Sequence, residues 1–441
     1  MTLSIIDTGK FPRLEDMTKS ELIQHLKETV KPEEGIIPAY IFSHPKVYEL
    51  EMEKIFLKSW LFLAHKSEIP NKGDFVTRQM GEHSVIVTHG SDGDIHVLLN
   101  VCTHRGMKLC RMDHGNEKSF VCPYHGFNFK NTGDLAGVPF QKEVYGDTLD
   151  KSKMGLKEIR HDEYAGLIFA TFNEEAVPLD EYLGDIKWYL DLAFNRAEME
   201  VQGPPMKWVV NASWKLGSDN TISDSYHTLV SHGSIAKLGL VPSGDYSKYG
   251  YQIYTGNGHG LNLGMPNPHF AFPEELTEEY KERLSPEQWG VLEKLKNMIV
   301  CVSPHMMILI SSMDFKGKQV SNTSFRLWQP KGPDKIEITQ WQIVEKNATK
   351  EWKELSNQTN SLTFGASGIF EQDDSENWTD ITQNSKGAYH LQENTFFNYT
   401  QGMHKKPVDD FVGPGIAYEN KFNEANARAF FRNWLDQVTA E

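Results

Sequence analysis

Cys102-Thr-His104-Arg-Gly106 and Cys122-Pro-Tyr-His125-Gly126 are two short segments of one design, separated by residues 107–121. Together they offer two thiolates and two imidazoles. That is the ligand set of a [2Fe–2S] cluster in which histidines replace both cysteines on one iron, an exchange that removes negative charge and raises the potential. Each segment gives one Cys to one iron and one His to the other, so two loops can clamp the cluster from both sides. Gly106 and Gly126 follow the histidines and let the backbone turn close to the sulfurs. A Cys₂His₂ zinc site instead groups its ligands by type, with the cysteine pair ahead of the histidine pair. The Cys-His-Cys-His order does not match it.

The flanking sequence supplies a β scaffold. Asp74-Phe-Val-Thr-Arg78, Ser84-Val-Ile-Val-Thr-His89 and Ile95-His-Val-Leu-Leu-Asn100 are short, β-branched and bounded by Gly, Asn and Asp, which predicts antiparallel strands. Gly90–Gly93 and Asn131–Asp134 read as turns. Residues from Trp60 to about Phe172 therefore form a small all-β module with the two Cys/His segments in its loops.

At 441 residues the chain exceeds one ordinary core. The net charge of −15, from 60 acidic and 45 basic residues, argues against nucleic acid and against an anionic membrane surface. The most apolar run, Met298–Ile310, is broken by Pro304 and His305 and is too short to span a bilayer. No secretory signal is evident. Cysteine is sparse, at Cys102, Cys110, Cys122 and Cys301, so no disulfide framework is expected. A reducing, cytoplasmic compartment fits.

Thr18-Lys-Ser-Glu21 reads as a capping box, with Met17 and Leu22 as a hydrophobic staple, opening a helix to about Val30. Apolar spacing predicts a second helix over Tyr40–Trp60. Beyond Phe172, helices are expected at Asp180–Leu192, Ser218–His232, Glu274–Asn297, 350–385 (one or a pair) and Phe422–Val438. Strands are expected at Gln202–Leu216, Val300–Ser303, Met306–Ser311, Val320–Gln329 and Ile336–Val344. Gly239–Pro268 reads as a glycine-rich covering loop. The order is helices, a β module, then an α+β body.

A second constellation lies in Asn220-Thr-Ile-Ser-Asp224-Ser-Tyr226-His227-Thr-Leu-Val-Ser-His232. Asp224 and His227 share a helix face. His227 and His232 stand roughly 140° apart on an ideal helix at ~100° per residue, so chelation of one metal requires a break near Leu229–Ser231. A carboxylate from Phe364-Gly-Ala-Ser-Gly-Ile-Phe370-Glu-Gln-Asp-Asp374 would complete two His and one acid, the facial triad of non-haem Fe(II) oxygenases, which leaves positions open.

The two Cys/His segments resemble the Rieske motif. Met107 and Tyr124 stand where respiratory Rieske proteins carry a disulfide, so the resemblance is to the lower-potential centres of oxygenases and their ferredoxins, with Cys110 an inert buried thiol. Taken with the second constellation, nearly the whole chain is similar to the large (α) subunit of Rieske non-haem iron aromatic-ring-hydroxylating dioxygenases, the naphthalene, biphenyl and toluene dioxygenase group. The resemblance implies an all-β Rieske domain (58–172) inserted before an α+β catalytic domain (173–441) built on an antiparallel sheet with helices, residues 1–57 belonging to the latter. It implies cluster ligands Cys102, His104, Cys122 and His125. The Fe(II) ligands would be His227, His232 and Asp374, with Asp373 the neighbouring alternative. Asp224 would bridge to a Rieske histidine of the next subunit. Asn220 and Tyr226 would lie near the iron, and Thr221, Ile222, Phe364 and Phe370 would line the pocket. Phe127 departs from the Trp usual there.

The implied activity is insertion of both atoms of O₂ into an aromatic hydrocarbon to give a cis-dihydrodiol. Electrons would come from NAD(P)H through a flavin reductase, a ferredoxin or both. A small β subunit and an α-subunit trimer (α3β3 or α3) are the implied assembly. The alternatives are a monooxygenase of the same architecture, hydroxylating an aromatic acid or demethylating an ether, and a Rieske electron-transfer protein.

Overall fold

The computed structural model describes residues 13–237, 249–267, 269–315, 317–392 and 395–440. The chain divides into two compact units, Phe56–Tyr182 and the remainder, Met1–Ile55 with Leu183–Glu441.

In the first unit, strands Asp74–Met80 and His83–His89 pair as a hairpin flanked by Ile95–Leu99 and His114–Asn116. Ser119–Val121, Asn128–Lys130 and Leu135–Gly137 form a second sheet. Leu61–His65, Arg160–Tyr164 and Leu167–Thr171 form a third. Phe75, Ile86, Leu98, Phe120 and Phe129 pack into one cluster, and Cys102 and Cys122 belong to it. Phe75 meets Phe120 edge-on at 5.2 Å. The cysteine end of each loop is thus anchored in the apolar interior, where each fully buried large side chain contributes about 1.5–3 kcal/mol.

The second unit is built on a nine-stranded antiparallel sheet. Its spatial order is Met199–Val201, Lys335–Glu345, Lys318–Gly332, Met306–Phe315, Asn297–Val302, His259–Gly264, Tyr251–Gly256 and Ile416–Glu419, with Met206–Val210 also pairing Lys335–Glu345. The helix Trp214–Ser223 lies against this sheet. It comes so close that a Cβ on Gly217 would stand 2.6 Å from the Trp328 ring. Helices Lys350–Thr363, Ile369–Ser385 and Ala425–Val438 belong to the same unit.

The capping box at Thr18 and Glu21 is present and opens the helix Lys19–Thr29. Several other elements depart from the sequence expectations. Tyr40–Trp60 is divided: a 3₁₀ turn Ala39–Phe42, a helix Pro45–Glu51 that starts on its proline, and a π turn Met52–Phe56. The strand expected to reach Leu216 stops at Val210, and Trp214 already opens a helix. Glu274–Asn297 splits at Ser285, whose capping box with Gln288 starts a new helix Pro286–Leu292, and Asn297 begins a strand. Residues 350–385, by contrast, form a helix pair, one of the two forms expected, divided at Phe364–Gly368.

Gly239–Pro268 is the largest difference. Residues 239–248 and 268 lie outside the described residues, but Tyr251–Gly256 and His259–Gly264 form a hairpin inside the main sheet. Its glycines mark close approach. A Cβ on Gly260 would lie 3.0 Å from both Ile222 and Asn426, and one on Gly264 2.3 Å from Asn297 Oδ1. Glycine in a strand where another element presses close is a packing device that sequence reads as a loop.

Candidate metal centres

The two loops of the first unit repeat one hydrogen-bond pattern. Cys102 N donates to Met107 O at 2.8 Å and Gly106 N to Cys102 O at 2.9 Å. Cys122 N donates to Phe127 O at 2.7 Å and Gly126 N to Cys122 O at 2.9 Å. Both glycines are left-handed, with φ 74° and 75°, a conformation costing an L side chain about 1–2 kcal/mol. The turns bring the His104 and His125 rings to 4.6 Å. The Nδ1 atoms of both are buried, with no hydrogen-bond partner among the described residues. Two unpartnered imidazole nitrogens beside two buried thiols fit a Cys₂His₂ cluster. Phe127 stacks flat on His104 at 4.6 Å and so covers its face. Cys110 is buried, with Sγ 3.7 Å from Met112 O.

In the second unit the helix Trp214–Ser223 stops before Asp224, earlier than the break expected near Leu229–Ser231. Asp224 has φ −88° and ψ 76° and does not share a helix face with His227. Instead its Oδ1 accepts the N–H groups of Tyr226 (3.1 Å) and His227 (3.0 Å), an Asx turn that takes the donors helical propagation would need. The chain re-enters a 3₁₀ turn at His227–Leu229, and His232 closes the approach.

The outcome is a triangle. His227 Nε2 and His232 Nε2 lie 3.2 Å apart, and Asp374 Oδ1 is 3.3 Å from the first and 3.4 Å from the second. The opposite nitrogens are held by acceptors: His227 Nδ1 faces Asp224 O at 2.6 Å, and His232 Nδ1 faces Asp373 Oδ2 at 3.1 Å. With protons on Nδ1, both Nε2 lone pairs and the carboxylate oxygen point at one centre. Such a triangle has a circumradius of ~1.9 Å, close to a metal–ligand bond length, so His227, His232 and Asp374 would hold one divalent ion. Burial works against charge on His227, but hydrogen bonds to Asp224 and Asp374 outweigh it and raise the imidazole to about 10. Burial pushes the Asp224 carboxyl up, and bonds from His227 and Tyr226 more than reverse this, holding it below its usual range. At His232 the balance runs the other way: burial, with His227 beside it, outweighs Asp374 and Asp373 and lowers the imidazole.

The remaining sequence candidates separate. Asn220 Nδ2 lies 3.4 Å from His227 Nδ1. Phe370 meets His232 edge-on at 4.8 Å and stacks with Phe364 at 4.9 Å, placing two aromatic rings beside the triangle. Thr221 donates its hydroxyl to Gly217 O at 2.6 Å, and Ile222 packs over Gly260. Tyr226 is exposed, with its ring against Phe422 at 5.1 Å. Asp373 holds His232. The doubled acid Asp373-Asp374 was the available signal for that second role.

Comparison with known proteins agrees with this chemistry. Residues 59–153 match the Rieske [2Fe-2S] domain, and residues 179–440 match the catalytic domain of the ring hydroxylating alpha subunit. The biphenyl 2,3-dioxygenase subunit alpha of Rhodococcus jostii (strain RHA1) is 35% identical over 98% of this chain and 94% of its own. The N,N-dimethyl phenylurea N-demethylase subunit alpha of Sphingobium sp. (strain YBL2) is 31% identical over 98% of both. Naphthalene 1,2-dioxygenase from Rhodococcus sp., solved with indole bound, superposes with a TM-score of 0.91 at 39% identity, over 96% of this chain and 99% of that one. The chain belongs to the ring-hydroxylating alpha subunits, oxygenase components of aromatic-ring dioxygenases that pair a Rieske [2Fe–2S] domain with a mononuclear-iron catalytic domain.

Proposed function

We propose that this chain inserts both atoms of O₂ into an apolar aromatic hydrocarbon to give a cis-dihydrodiol. The observation that carries the reading is the His227–His232–Asp374 triangle with Phe370 and Phe364 beside it. We assign Fe(II) to that triangle and the [2Fe–2S] cluster to Cys102, His104, Cys122 and His125. Bound iron supplies dioxygen binding and activation, and the cluster supplies one-electron transfer. The chain's own residues do the rest. Asp224 O and Asp373 Oδ2 hold the Nδ1 protons, which leaves the Nε2 lone pairs for metal. The aromatic pair puts apolar rings beside His232, a surrounding suited to an arene without a charged substituent.

We place Asn220 beside His227 near the iron, and Asp224 at the contact to a neighbouring α subunit in an α3 or α3β3 assembly. A flavin reductase and/or ferredoxin would carry NAD(P)H electrons to it in the cytoplasm. Among the described residues no helix is long and apolar enough to cross a membrane.

Turnover of mono-, bi- and tricyclic arenes under ¹⁸O₂, with a reductase and ferredoxin supplied, tests the reaction. Two labelled oxygens in a cis-diol are expected. A monohydroxylated product with one label, or a dealkylated amine without label accompanied by formaldehyde, would favour the monooxygenase reading, the chemistry of the N-demethylase relative's name. Asp374→Ala should lose mononuclear iron and turnover while keeping the Rieske EPR signal. Turnover with full iron content would overturn the ligand assignment.

A further inference from the structure

The Trp214–Ser223 helix ends one residue before Asp224, and the Thr221, Ile222 and Ser223 carbonyls lose their helical partners: Ser225 N turns back to Ser223 O at 3.0 Å, and Asp224 Oδ1 has taken the Tyr226 and His227 N–H groups. Buried helix-end carbonyls need other donors. Three carboxamides supply them, residue by residue. Asn262 Nδ2 donates to Thr221 O at 3.1 Å, Asn426 Nδ2 to Ile222 O at 3.2 Å, and Gln252 Nε2 to Ser223 O at 3.0 Å. All three side chains are buried, at 1%, 0% and 0% exposure respectively.

Gln252 and Asn262 are direct cross-strand partners in the main sheet, and Asn426 sits in the first turn of the C-terminal helix. The three are joined as well. Gln252 Nε2 lies 3.4 Å from Asn262 Oδ1, and Gln252 Oε1 accepts Asn426 N at 3.2 Å. Asn426 Nδ2 also faces Ile253 O (2.9 Å) and Leu261 O (3.3 Å), so only the NH₂ end of its amide fits there. Phe422, four residues earlier, forms a β-bridge with Asp224.

We propose that Gln252, Asn262 and Asn426 are positioning residues of the mononuclear centre: a carboxamide cradle that terminates the Trp214–Ser223 helix at one defined residue and thereby aims Asp224 and His227. The inference rests on the assignment of Fe(II) to His227, His232 and Asp374. Without the cradle, the Thr221, Ile222 and Ser223 carbonyls regain the N–H groups of Ser225, Tyr226 and His227 as their best partners. The helix would then run on, the Asx turn would open, and His227 would rotate away from His232 by its helical spacing. Water cannot stand in easily, because the carbonyls lie under the sheet and the C-terminal helix.

The test is Fe(II) binding to the Rieske-loaded protein, read by competition with a chelator and by the EPR line shape of the ferrous–nitric oxide complex. Asn262→Leu and Gln252→Met each remove a donor at nearly constant volume. Gln342→Met is the control: a buried carboxamide of the same sheet whose Nε2 donates to Ser356 Oγ at 3.2 Å. Asn262→Leu and Gln252→Met are expected to weaken Fe(II) binding about tenfold and broaden the nitric oxide spectrum. Gln342→Met should do neither at comparable thermal stability. Gln252→Met also removes the 2.6 Å bond to Asn423 O and the acceptor of Asn426 N, so it is read beside Asn262→Leu, whose Nδ2 donates to Thr221 O; if Asn262→Leu does not fold, Asn262→Asp, which keeps the shape and loses the donor, takes its place. Equal Fe(II) affinity in wild type and cradle variants, or equal loss in Gln342→Met, would overturn the cradle. Failure of the wild type itself to bind Fe(II) would overturn the site assignment instead.

Discussion

Asp373 and Asp374 are adjacent carboxylates with different work, and the difference can be measured. Asp374 Oδ1 faces both Nε2 atoms, whereas Asp373 Oδ2 accepts from His232 Nδ1 at 3.1 Å. Removing an outer partner of a metal-bound histidine costs about 10–100-fold in metal affinity, or roughly 1.4–2.7 kcal/mol. The Asp373 side chain is 31% exposed, so water can partly replace it, and the lower end applies. Asp373→Ala should therefore weaken Fe(II) binding about tenfold. Asp373→Asn keeps a neutral acceptor; charge-assisted bonds are roughly twice as strong as neutral ones, so about half the effect, near threefold, should remain. Asp374→Asn removes a ligand and should empty the site. Chelator competition on purified protein, with the Rieske absorbance as the internal standard, gives all three constants. Asp373→Ala binding within twofold of wild type, or Asp373→Asn as damaging as Asp374→Asn, would refute the division of roles.

Arg326 ion-pairs with Glu371, one turn before Asp374, and its Nη2 donates to Phe364 O at 2.9 Å. Arg326→Met strands a buried carboxylate and should cost about 3–5 kcal/mol in denaturant unfolding, lowering Fe(II) retention with it. Gly126→Ala should reduce cluster content per protein more than Gly106→Ala. Both positions are left-handed, but a Cβ on Gly126 would lie 2.8 Å from Pro139 Cγ while Gly106 has open space, and visible absorbance per chain reads the order. Burial, against a 2.6 Å hydrogen bond from Tyr399, raises the Asp219 carboxyl to about 8. Its unfolded value is about 3.9, so stability is lost as pH rises from about 4 to 8 while only the unfolded chain ionises. Asp219→Asn should leave thermal stability unchanged near pH 4, and raise it increasingly up to pH 8 and no further. An equal gain at every pH would rule out titration as the cause.

The sequence carried the chemistry further than the geometry, and the reason is the range of the interactions involved. Cys102, His104, Cys122 and His125 were legible because their ligand types and glycines are local, and each loop closes through bonds no longer than five residues. The strands of the first unit were legible for a similar reason, being short alternating runs between turns. The Asn220–His232 stretch reads as a helix broken near Leu229–Ser231, but the helix already stops at Ser223, where Asp224 takes the next donors. What holds its freed carbonyls comes from Gln252, Asn262 and Asn426, far along the chain, and propensity contains no record of them. The hairpin at Tyr251–Gly264 was lost for the same cause. Its glycines read as a covering loop, yet Gly260 is glycine because Ile222 and Asn426 press against it. One contact therefore explains both errors. The sheet must admit the helix closely for its amides to reach the helix end, and that closeness forces glycine into the strand. Where a metal site needs a helix to end at a given residue, its signature lies in buried amides and glycines of distant strands as much as in the ligands themselves.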